Sequence, residues 1–151
     1  MTRFNPVHAL GGGVLAGVII NVSGAFIWVL LGNEYMTRLS TSLPRRAIPL
    51  SMWWGLLMGI VAVWLFVSLR AQYGAGSKTA ALAGVVVWLL GCALPNYSLW
   101  TFGILDGLLV SKASAIGFVQ IVLATVAGAA LYSWAGDTVA AEQGIKRSRE
   151  G

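Results

Sequence analysis

Reactive and charged side chains are scarce in this sequence. The 151 residues include one cysteine, one histidine and five acidic residues, and charged residues of both signs make up 10% of the chain. Cys92 has no intramolecular partner, which excludes a disulfide scaffold and a paired-thiol redox enzyme. His8 stands beside no second ligand, so neither a metal cluster nor haem ligation is supported. A Ser-His-Asp arrangement could draw only on His8 and Asp106, which the topology derived below places on opposite faces. Gly11-Gly12-Gly13 is not a phosphate loop, because no strand precedes it and no lysine follows. No catalytic, metal or cofactor residue is expected, and the chain does not read as an enzyme.

Apolar residues are abundant instead. They make up 58% of the sequence, and its mean hydropathy is +0.79. Soluble domains carry about 25% charged residues, and a small body cannot hide this much apolar surface from water. Lipid is therefore the expected solvent. Four stretches of the length needed to cross a bilayer, about 20 residues, contain no Asp, Glu, Lys or Arg: 9–31, 47–69, 79–103 and 113–135. Each is apolar on all sides rather than alternating, which selects helices over membrane strands. The fold expected is an all-α membrane protein, a four-transmembrane-helix bundle over 1–136, with a loop of about 15 residues after the first helix. A basic tail, 137–151, is expected to be cytoplasmic and disordered.

Four crossings put both termini and the 70–78 connection on one side. That side carries six basic residues against four on the other, which favours cytoplasmic termini in a bacterial inner membrane. The formal net charge of +5 suits anionic headgroups and needs no nucleic acid.

Helices in lipid associate through small residues that bring backbones together. Gly13, Gly17, Asn21 and Gly24 form one face of the first helix, Ser51, Gly55 and Gly59 one of the second, and Ala113, Gly117, Gln120, Ala124 and Gly128 one of the fourth. These faces serve either packing within the bundle or a homodimer contact. The words Leu15–Ile20 and Leu82–Val87 are alike (LAGVII and LAGVVV), and a looser match pairs the second helix with the fourth, which would make two parallel two-helix repeats. Pro95 predicts a kink near Gly91, with Asn96 able to satisfy a freed backbone group. Asn21, Asn96 and Gln120 are the candidate intramembrane polar residues, either cross-linking helices or lining a route. Trp28, Trp53, Trp54, Tyr97 and Trp100 gather toward the face opposite the termini, as an aromatic belt or a pocket for a lipid headgroup or quinone ring.

The segment Asn21-Val22-Ser23-Gly24-Ala25-Phe26 resembles the Asn-x-x-Gly-x-Phe helix segment of small four-helix fluoride channels. The likeness covers six residues, and the pore motif of that family has no counterpart here. Small multidrug-resistance transporters share four helices, but rely on a first-helix carboxylate that this chain lacks. In architecture the chain is similar to small four-helix bacterial membrane proteins of uncharacterised role. Three functions are compatible with these features: a non-catalytic accessory or self-associating membrane subunit, a passive channel or carrier for a small neutral or hydrophobic solute, or lipid or quinone binding at the aromatic face. The partners anticipated are the lipid bilayer and a second copy or another membrane protein.

Overall fold

The computed structural model describes the backbone of residues 5–42 and 47–150 and the side chains of 5–26 and 49–136. Among these residues the structure is all helical, with no strand. Helix α1 spans Pro6–Ser42 and α2 spans Ala47–Tyr73. Helix α3 runs over Ser77–Thr101, with a π-turn at Leu89–Ala93 in its middle, and α4 over Gly107–Glu150. All four contain segments long and apolar enough to cross a membrane, as a multi-pass helix bundle requires.

The helix ends follow local capping chemistry rather than the positions of charges. Asn5 caps α1: its Oδ1 accepts the Val7 N–H at 3.0 Å, and Pro6 takes the first helical position, where a missing N–H costs nothing. The helix therefore starts before Ala9, the residue at which the apolar run begins. At its other end α1 continues to Ser42, so the expected loop of about 15 residues is largely helix. Asp106 caps α4 in the same way, accepting the Leu109 N–H at 2.8 Å, and Lys112 lies inside the helix rather than before it. Between these helices, α3 closes on Gly103 with φ +70°, a conformation that disfavours any side chain. The Gly103 N–H reaches Trp100 O and the Ile104 N–H reaches Leu99 O, the paired bonds of a Schellman cap. Leu105, Leu109 and Val110 pack with Leu99 and Ile104 beneath this turn.

Helix α4 runs on to Glu150 without a break at 137. Ala140, Ala141, Glu142, Gln143, Lys146 and Arg147 are all good helix formers, which gives this segment a local reason to be helical. The side chains of the expected tail, and Trp28, lie outside the described residues.

The helices form a ring in chain order: α1 packs on α2 and α4, and α3 on α4 and α2. Two core layers fill it. Ala9, Ala16, Val63, Phe66, Ala80, Ala83, Ala129 and Tyr132 make the layer toward the α2–α3 turn, while Ile20, Met58, Ala62, Val87, Ile121 and Ala124 make the layer toward the α3–α4 turn. Alanine is so frequent here because axes must approach closely where the solvent offers no hydrophobic drive. Large apolar side chains point outward instead, among them Val18, Leu57, Val86 and Leu123.

Candidate functional site

The glycines predicted to pack do so inside one chain. Gly13 and Gly17 face the Cα atoms of Ile60 and Leu56 on α2, and a methyl group on either would stand 2.7 Å away from that atom. Gly59 lies against Gly17, and Gly55 against the Asn21 side chain. Gly24 faces Gln120, with room to spare, and Gly117 faces Cys92. Gly128 meets Gly12, a residue that the sequence reading passed over because it belongs to a second α1 face, turned toward α4. The shared word of the two halves has a structural echo: Gly17 packs on Leu56 Cα, and Gly84 on Val122 Cα of the following helix.

Each intramembrane amide occupies a different helix contact. Asn21 Nδ2 donates to Gly17 O at 3.0 Å on its own helix and to Met52 O at 3.1 Å on α2. Gly55 makes this possible, since a methyl group there would lie 2.8 Å from Asn21 Oδ1. Gln120 crosses from α4 to α1, donating to Ser23 Oγ at 2.9 Å and to Ile20 O. Buried Asn96 joins α3 to α4 through Ser114 Oγ at 3.2 Å. Trp88 Nε1 donates to Ser114 O at 2.8 Å, so one serine takes two bonds from α3. Asn21, Gln120 and Asn96 thus take their bonds at the α1–α2, α1–α4 and α3–α4 contacts respectively. A cavity beside the α2–α3 turn, with Phe66, Ala80, Ala129 and Ser133 in its lining, includes none of them. No buried side-chain N or O atom among the described residues lacks a hydrogen bond.

Proline acts on α3 as expected in position and differently in detail. Pro95 offers no N–H to Gly91 O, and the backbone widens just before it, with the Leu94 N–H bonded five residues back to Leu89 O. Gly91 O receives the indole N–H of Trp54, from α2, at 3.5 Å. The freed carbonyl is thus met by a tryptophan of the neighbouring helix. The side-chain bonds of Asn96 described above go to Ser114, and to Cys92 Sγ at 3.6 Å.

Trp53, Trp54, Tyr97 and Trp100 are exposed toward the α3–α4 turn, and the Tyr97 and Trp100 rings meet edge-on at 5.3 Å. This distribution suits amphipathic rings at headgroup depth. At the opposite end Tyr132 is no belt residue: it is buried, edge-on to Phe66, with the Arg70 guanidinium 5.1 Å over its ring. Sequence reasoning also missed Trp88 and Ser114 as polar partners. The signal was present in the eight-residue spacing of Trp88 and Asn96, which puts both on one face of α3.

Comparison with protein-family models, curated proteins and solved structures gives no match. The likeness of Asn21–Phe26 to fluoride-channel helices therefore gains no support from them, and what stands is the architecture of four apolar helices.

Proposed function

We propose that this protein is a non-catalytic membrane component, an accessory subunit that acts through the outer surface of a closed bundle. The observation that carries this reading is the separate engagement of Asn21, Gln120 and Asn96 in three helix contacts. Polar groups at membrane depth are the first candidates for transport or chemistry. Here all three fasten helices, and the glycine stripes meet other helices of the same chain. A solute route would need the three amides to face a common space, and self-association through the glycine stripes would need those faces free. The engagement of each amide at its own helix contact, and of Gly13, Gly17, Gly59 and Gly128 within the chain, supports the subunit reading over these two. What the bundle offers outward is an apolar band and the exposed Trp53, Trp54, Tyr97 and Trp100 cluster, surfaces fitted to lipid or to another apolar helix.

Isolation in native-lipid nanodiscs followed by native mass spectrometry tests this reading. A second membrane protein at constant stoichiometry is the expected result. A strictly monomeric chain, recovered without a partner at every step, overturns it.

A further inference from the structure

The carbonyl of Leu90 lies near the middle of the Ser77–Thr101 span, and its own helix gives it no donor. A regular α-helix would serve it with the Leu94 N–H, four residues ahead, but that group is bonded to Leu89 O. One more step of the π-turn would serve it with residue 95, which is proline and has no N–H. Two carbonyls are therefore left over, and the chain treats them differently. Gly91 O is reached from α2 by the Trp54 indole N–H. No side chain among the described residues donates to Leu90 O.

This side of α3 is its outer one. Leu82, Val86, Leu90 and Leu94 follow one another at four-residue spacing with Tyr97 beyond, and all are exposed, whereas Ala83, Val87 and Asn96 are buried. A helical carbonyl points along the axis toward the residue four ahead, here exposed Leu94, so Leu90 O opens onto the surface of the bundle. An acceptor without a donor is costly in hydrocarbon, where no water can serve it. Prolines are tolerated in membrane helices because a local π adjustment or a neighbouring helix serves the groups they free. Here the π adjustment has been made and one acceptor remains. Lipid headgroups stand about 15 Å away, at the edge of a core about 30 Å thick. The donor within reach of mid-span is a side chain on another membrane helix.

We infer that the Leu82–Tyr97 stripe of α3 is the face on which the partner subunit docks. The partner is a transmembrane helix of another protein, apolar apart from a hydroxyl or amide side chain at mid-span that donates to Leu90 O. This inference rests on the subunit reading above and names the contact through which it operates.

The test uses the full chain expressed in its native host, with a photoreactive amino acid in place of Leu90 or, in a control protein, in place of Leu123 on the exposed side of α4. The Leu90 position should cross-link to a second protein, in a membrane-spanning peptide that contains Ser, Thr, Asn or Gln. The Leu123 position should not. Pro95→Ala lets the regular pattern return, in which the Leu94 N–H serves Leu90 O and the new N–H serves Gly91 O. A hydrogen bond between membrane helices strengthens association roughly three- to twentyfold, so partner retained through nanodisc isolation should fall by about that factor while the bundle stays monodisperse. A cross-link from Leu123 alone, a cross-linked span without a donor, a link only to a second copy of this chain, or retention unchanged by Pro95→Ala would each overturn the inference, and with a partner still recovered the subunit reading would stand. Recovery of no partner at all overturns both.

Discussion

A methyl group on Gly59 would stand 2.1 Å from the backbone nitrogen of Gly17, so α1 and α2 touch backbone to backbone at this pair. Nothing flexible separates them, and an added side chain could be accommodated only by moving a helix. Gly59→Ala should therefore destabilise the bundle by about 2 kcal/mol or more, at the upper part of the overpacking range. Gly11→Ala, where the same methyl group meets nothing within 4 Å, should instead stabilise by about 0.5–1 kcal/mol through helix propensity. Thermal or denaturant unfolding of the two variants in one detergent measures the contrast, and equal shifts would contradict the contact.

Gln120 and Ser23, 97 residues apart, should couple energetically. Hydrogen bonds between membrane helices contribute about 0.6–1.7 kcal/mol. A double-mutant cycle with Gln120→Leu and Ser23→Ala should return a coupling of that order. Strict additivity would show that the 2.9 Å contact contributes nothing.

The Trp54 indole matters because Pro95 leaves Gly91 O without its helical donor. The contact is long, 3.5 Å, so Trp54→Phe should cost only about 0.5–1 kcal/mol. In a Pro95→Ala background the new N–H can serve Gly91 O, and the same substitution should then cost less. An undiminished cost in that background would assign the role of Trp54 to packing alone.

Asp106→Ala should remove the α4 cap and lower stability by about 1 kcal/mol, whereas Asp106→Asn, which keeps the accepting oxygen, should recover most of it. All of these substitutions are read from unfolding curves in one detergent, so their sizes can be compared directly.

The spans were legible in the sequence because an uninterrupted apolar run of membrane length has few other uses. Their ends were less so, because a charged residue does not by itself end a helix. Arg70 lies within α2 and covers Tyr132 with its guanidinium, and Lys112 lies exposed within α4. The better markers were Asn5-Pro6, Asp106 and Gly103, whose capping chemistry is local and readable. Asn21, Gln120 and Asn96 were recognisable as polar groups needing partners. Which partners they take was not, since the pairing of Gln120 with Ser23 depends on how α4 is rotated against α1, and periodicity within one helix does not encode that. Gly12 and Gly13 illustrate the same point: adjacent in sequence, they serve contacts with α4 and α2 respectively.

Cys92 offers the most direct test of the central claim, that the amides fasten helices and do not line a water-filled route. Its sulfur lies 3.6 Å from Asn96 Nδ2 and packs against Gly117, so it reports on the α3–α4 contact without any engineering. In sealed vesicles a membrane-impermeant maleimide should leave Cys92 unmodified until the protein is denatured, while a Ser77→Cys control at the α2–α3 turn reacts promptly from its accessible side. Labelling of native Cys92 at a rate approaching that control would mean that water reaches Asn96, and the account would be wrong.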